Sequence, residues 1–173
     1  MRSTALARIV VGVVVERRKA RSPWLDFLWR PVSVLVGTPA AVAWTRIAEE
    51  GDATMFYAGE AAIELHRTET ANYRQNLASG TPALWVVLRP RLANSASHAF
   101  DVLTVTADPS EGEALTEAGN DLVATVPMPV SIIEAIDGFI AEHHVERPFQ
   151  KRQRDRAEAK NPAHGGADKR NRK

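Results

Sequence analysis

The chain has 173 residues, 45% of them hydrophobic and 25% charged, and a formal net charge of +1. That is enough for one domain with a sizeable core and too little for two ordinary ones. It contains no cysteine, which excludes disulfides, thiolate metal sites and thiol chemistry carried by the chain itself, and makes a cytoplasmic location the default expectation.

The small net charge conceals an asymmetry. From Arg147 to Lys173 there are ten basic and three acidic residues, net +7, whereas the remainder carries twelve basic and eighteen acidic residues, net −6. We therefore expect a single domain over residues 1–148 and a basic, largely disordered tail over 149–173.

The run Ile9–Val15 is apolar and β-branched, and it ends at Glu16-Arg17-Arg18-Lys19. A membrane-spanning helix needs about 20 apolar residues, so the run predicts a strand buried on both faces, with no membrane contact. Gly12 within it marks a bulge or a close backbone approach. Residues 17–31 then predict a charged loop carrying Trp24, Phe27 and Trp29, followed by a strand over Pro31–Val36. Thr38-Pro39 has the form of a helix start and Gly51 of a stop, which predicts a short helix between them. Thr54–Ala58 and Ala61–His66 read as two strands of a tight hairpin about Gly59-Glu60.

Thr68 is placed to cap a helix that starts at Glu69 and ends at Ser79-Gly80, with Tyr73 and Leu77 on one face. Leu84–Leu88 and Phe100–Thr106 predict two further strands. Ser110 and Glu113 have capping-box spacing for a helix over Glu111–Ala118. Leu122–Val126 predicts a strand. Ile132, Ile133, Ile136, Phe139 and Ile140 stripe a final helix from Val130 to about His144. Strands that come mostly in adjacent pairs predict an α+β domain: a mostly antiparallel sheet of about six or seven strands with three or four helices packed on it.

The densest polar stretch runs from Glu64 to Arg74. There Glu64, His66, Arg67, Glu69, Tyr73 and Arg74 crowd a strand-to-helix junction, as a binding surface or as a solvated corner over core residues Leu65, Tyr73 and Leu77. Trp24, Trp29 and Arg30 form a second candidate, either a recognition patch or a lid on the core. His143 and His144 are adjacent, and helical neighbours point about 100° apart, so the pair cannot chelate one metal ion; a role at the negative end of the helix dipole suits them better. Lys151, Arg152 and Arg154 make the tail a candidate for phosphate or acidic partners. No P-loop, dinucleotide fingerprint, GxSxG elbow or HExxH motif is present in the sequence, so we expect neither an enzyme nor a bound cofactor.

Three ordered motifs carry a resemblance. Ser22-Pro23-Trp24 with Trp29-Arg30-Pro31-Val32, then Glu64-Leu65-His66-Arg67-Thr68-Glu69-Thr70 with Tyr73-Arg74, then His143 through Arg152 together resemble an uncharacterised proteobacterial family known as domain of unknown function 3305. The likeness covers nearly all the chain up to about Arg156. What it implies is an accessory or adaptor protein that helps to build or regulate formate dehydrogenase, with a subunit or maturation factor of that molybdenum enzyme as partner. The alternative is a small-molecule or nucleotide-binding protein that takes an anionic, molybdopterin-type ligand through His66, Arg67 and Arg74. The chain lacks the glycine-rich loop that nucleotide transfer to molybdopterin uses. A nucleic-acid role for the tail ranks third.

Overall fold

The computed structural model describes residues 4–92 and 98–145. Seven strands and three α-helices follow in the order β1 (Ala7–Lys19), β2 (Phe27–Val36), β3 (Thr45–Glu50), β4 (Ala53–Leu65), α1 (Thr70–Leu77), β5 (Ala83–Pro90), β6 (Phe100–Thr106), α2 (Pro109–Glu117), β7 (Leu122–Pro127) and α3 (Val130–His143), with a 3-10 turn over Arg67–Glu69. The class is α+β, as expected, but the strands do not make one sheet. They form a four-stranded sheet in the order β2-β1-β4-β3 and a three-stranded sheet in the order β6-β5-β7, all paired antiparallel. The sheets approach each other along both sides, β4 beside β6 and β2 beside β7, and enclose a common core.

Alternation along the strands explains that core. Val11, Val13 and Val15 of β1, Ile63 and Leu65 of β4, and Leu84, Val86 and Leu88 of β5 all point inward. Tyr73 of α1 and Ile132, Ile136, Phe139 and Ile140 of α3 complete the cluster. Strand β1 is buried on both faces from Val11 to Glu16. A Cβ built on Gly12 would lie 2.8 Å from Tyr57 Cε2 and 3.4 Å from Pro39 Cδ, so the glycine marks a close approach of the segment between β2 and β3. The charged residue at the end of this buried stretch, Glu16, is held by Arg18 at 3.3 Å and by Arg30 at 3.2 Å.

Four local expectations are corrected, besides the loop expected over residues 17–31, which is mostly strand because β1 runs on to Lys19 and pairs with β2 from Phe27. The segment after Thr38-Pro39 makes no helix. Gly37 and Trp44 both take positive φ, +77° and +67°, and Thr45–Glu50 is a strand paired with β4, with all six residues exposed. Its sequence lacks apolar alternation because neither face is covered; the ladder alone defines it. Second, the hairpin about Gly59-Glu60 is one continuous strand. β1 pairs along the whole of β4, and Gly59, at φ +130°, sits where the register shifts, so the kink is absorbed as a bulge rather than a turn.

Third, Thr68 lies in the 3-10 turn and caps nothing; α1 starts at Thr70 without a side-chain cap. Fourth, the cap of α2 is Asp108 rather than Ser110. Its carboxylate accepts from the backbone N–H of Ser110 and Glu111, with Pro109 opening the helix. The strand over Leu122–Pro127 and the α3 stripe are as predicted. On α2, Gly112 rests on the indole of Trp85, which points outward from β5; any Cβ there would collide with the ring.

The α1 helix follows the four-stranded sheet and is fastened to the other one through Asn76. The buried Asn76 amide donates to Ala83 O and Ala107 O, both at 2.8 Å, and its carbonyl accepts from Ala83 N at 3.1 Å. One side chain thus ties α1 to the start of β5 and to the end of β6. Asn76→Ala should lower stability by about 2–4 kcal/mol, because buried backbone groups lose their partners. Thermal unfolding checks this against Gln75→Ala at an exposed neighbour, which should stay within about 0.5 kcal/mol of the parent.

Candidate functional site

Where β4 and β6 run side by side, their outward residues border a cleft of about 850 Å³. Glu64 sits between the buried Ile63 and Leu65, so alternation turns it outward into this cleft. Thr104 and Thr106 reach it from β6 by the same rule. The turn after β4 adds His66, Thr68 and Glu69, the start of α2 adds Asp108 and Glu111, and β1 adds Arg8.

A connected set of hydrogen bonds fixes these groups. Asp108 is buried. One of its oxygens accepts from Ser110 N at 2.8 Å and Glu111 N at 3.4 Å, and the other accepts from Asn72 Nδ2 at 3.1 Å. The same Asn72 amide donates to Glu69 Oε2 at 3.2 Å, which couples α1 to the cap of α2. Thr106 Oγ1 donates to Glu111 Oε2 at 2.7 Å and accepts from Asp108 N at 3.1 Å. Glu64 meets Arg8 at 3.3 Å and His66 at 3.9 Å, with both the Arg8 and Glu64 side chains substantially solvated.

Electrostatically the cleft is acidic. Four carboxylates line it against one guanidinium and one imidazole. Glu69, Asp108 and Glu111 are held by amide and hydroxyl donors, and no ion pair reaches them among the described residues. Neutral donors orient these carboxylates without cancelling their charge, so the wall favours a ligand bearing cationic or hydrogen-bond-donor groups. Among the described residues no group of three or more His, Asp or Glu is arranged to hold a metal ion, and no helix is long and apolar enough to cross a membrane.

Tyr73 lies behind the cleft at 2% exposure. Its hydroxyl accepts from His66 N at 3.0 Å and faces Glu64 O at 3.5 Å, pinning the turn that carries His66. Burial, together with the negative charge of Asp108, Glu69 and Glu111, pushes its pKa up from 10.0 to about 12, against the opposing effect of the His66 N–H.

The other expected site residues are dispersed. Arg67 and Arg74 are exposed and do not line the cleft. Arg74 donates to His144 Nε2 at 3.2 Å, and because arginine only donates, the His144 proton is assigned to Nδ1, which donates to Thr70 Oγ1 at 3.0 Å. His143 packs against Phe139, with ring centroids 4.5 Å apart, beside Glu142 at 3.7 Å. Thus His143 ends α3 and His144 is its C-cap.

Trp24 and Trp29 part company. Trp24 is exposed in the β1–β2 turn, so it lids nothing. Trp29, in β2, enters a ring cluster with Trp44, Phe56 and Phe100 at centroid distances of 5.9–6.0 Å. His98 stacks on Trp44 at 5.0 Å, and the Arg17 guanidinium lies 4.5 Å from the Phe27 centroid and 5.2 Å from that of Phe56. Arg17 and Arg8 stand nine residues apart on β1, so this cluster and the cleft lie toward opposite ends of the strand.

Arg30 pairs with Glu16, as described above. Lys151, Arg152 and Arg154 lie outside the described residues. Arg8, Thr106, Asp108 and Glu111 are cleft residues that the sequence reading missed. Asp108-Pro109 ahead of a helix was a legible cap signal; the others are assembled only by the juxtaposition of β4 and β6.

The fold and cleft define a two-sheet α+β protein with a polar, acidic seam between its sheets. The chain belongs to the family described as "Protein of unknown function (DUF3305)", whose model matches residues 10–153. No curated protein and no solved structure matches it.

Because the folded state of Tyr73 holds its proton more tightly than the unfolded chain does, its contribution to stability is complete below pH 10 and is lost as the pH rises toward 12. Urea unfolding across that window should show the parent losing up to about 2–3 kcal/mol more than Tyr73→Phe, which has no phenolic proton to lose. Parallel losses in the two proteins would contradict the buried phenol.

Proposed function

We propose that this protein is a non-catalytic adaptor that engages a protein partner through the β1–β2 turn and the start of β2. The observation that carries the reading is the exposure there of four large apolar side chains within five residues. Trp24 is 90% exposed, Leu25 56%, Phe27 43% and Leu28 52%. A folded surface normally scatters such residues singly, and a cluster with a tryptophan at its centre has the composition of an interface hot spot. The patch also has a rigid base, since Arg17 lies over both Phe27 and the Phe56 ring of the aromatic cluster. Little ordering entropy then opposes docking.

The partner to test first is the one that the family resemblance implies, a subunit or maturation factor of formate dehydrogenase. Tagged full-length protein should capture such a component. The double variant Trp24→Ala/Leu28→Ala should weaken capture by about 2 kcal/mol or more, roughly 30-fold in Kd, at unchanged Tm. Equal capture by both proteins would overturn the patch assignment. Normal formate dehydrogenase activity in a deletion strain, with no component captured, would overturn the choice of partner.

A second reading places a polar ligand in the seam cleft. Of the three residues expected to grip an anionic pterin, only His66 lines it, and the surrounding carboxylates favour a cation instead. Thermal-shift assays should therefore show stabilisation by guanidinium and amine ligands, about 2.7 kcal/mol at 100-fold over Kd, and none by nucleotides.

A further inference from the structure

We infer that the outer edge of β3 is a self-association surface, on which a second copy of this chain pairs antiparallel, β3 against β3, with Arg46 of each copy opposite Glu49 of the other. This surface is separate from the β1–β2 turn and from the seam cleft.

Two open sheets have four edge strands. β2 lies beside β7 and β6 beside β4, so three of the four look across at a neighbouring strand. β3 is hydrogen-bonded to β4 alone, and among the described residues no other strand packs beside it to a similar extent. Its outward backbone groups are therefore a template for one more strand.

Register decides which residues carry that template. Lys19 N donates to Asp52 O at 3.3 Å, one step beyond the Arg18–Ala53 pair. Bonds to a given neighbour recur at every second residue, so Thr54 and Phe56 turn their backbone groups toward β1, and Ala53, Met55 and Tyr57 turn theirs toward β3. The bond from Trp44 N to Tyr57 O agrees with this. On β3, Glu50, Ala48 and Thr45 stand opposite Ala53, Met55 and Tyr57, whereas Glu49 and Arg46 stand opposite Thr54 and Phe56. Arg46 and Glu49 therefore aim their N–H and C=O groups away from the sheet. In a regular strand two residues three apart would point opposite ways; the register shift at Ile47 gives these two one direction and one face. Their side chains accordingly meet at 3.4 Å, and more than half of each remains exposed.

The charges select the occupant. A two-fold axis between Ile47 and Ala48 sets Arg46 against Glu49 twice, so each pair exchanges two main-chain hydrogen bonds and adds an ion pair. Parallel pairing in register would instead place like charges side by side. Ile47, 49% exposed, lies next to the axis and loses water in both copies. The edge that charge guards against foreign strands is thus complementary to itself. Six residues a side make a contact smaller than a standard interface, so the association is weak and concentration-dependent.

Sedimentation of the full chain should show a monomer–dimer equilibrium between about 1 µM and 1 mM. Arg46→Glu and Glu49→Arg should each weaken it by about tenfold or more, because like charges then oppose each other twice. An equimolar mixture of the two variants should associate at least as tightly as the parent, since every opposed pair in the heterodimer is again a cation and an anion. A parent that stays monomeric overturns the inference, and so does a mixture that associates no better than its components. Thermal melts verify that each variant is folded.

The absence of native cysteine allows a second readout. Thr45 and Glu50 flank the charged pair and face each other across the same axis. Thr45→Cys mixed with Glu50→Cys should form a mixed disulfide about tenfold faster than either variant forms one with itself. Equal rates overturn the register and with it the proposed pairing.

Discussion

The four-stranded sheet hands the chain to the three-stranded sheet through one short helix, and the carboxamide of Asn76 is where that helix is fastened. It bonds three backbone groups, two at the start of β5 and one at the end of β6. A buried amide so placed contributes orientation as much as energy, because leaving its partners unpaired costs more than the bonds themselves return. Once α1 is fixed, Tyr73 holds the turn after β4, and Asn72 meets Asp108 across from it. The acidic cleft is thus a consequence of how the two sheets are joined.

The joint also explains why the cleft is polar over an apolar core. β4 and β6 come together without sharing a ladder, so their inward residues fuse into one cluster while their outward residues are left facing each other. Glu64, Thr104 and Thr106 take those outward positions by simple alternation. Asp108 and Glu111 arrive because the first turn of α2 must be capped, and a capping carboxylate serves both the helix and the wall. The same atoms therefore shape both the helix start and the cleft wall.

The two surfaces on which functional readings rest differ in physical character. At one end of β1 an apolar turn sits on a stack of rings and a guanidinium; at the other, carboxylates face open space. The first is apolar and the second acidic. β1 runs between them and is buried on both faces from Val11 to Glu16.

Much of this was legible in the sequence where burial is one-sided and periodic. The β-branched run of β1, the alternation of β6, the apolar β5 and the stripe of α3 each state their own environment, because a residue that faces the core must be apolar whatever the topology. His66, Glu64 and Glu69 were also visible as a polar corner. The sequence did not disclose β3, whose exposed residues carry no pattern and whose existence depends on pairing with β4. It also left Gly59 ambiguous, since a turn and a bulge ask the same of a glycine. Nor did it place Arg8, Thr106 and Glu111 together, or separate Trp24 from Trp29. Those outcomes are set by which strand lies beside which, a choice made by long-range packing energy that no local stretch of residues records.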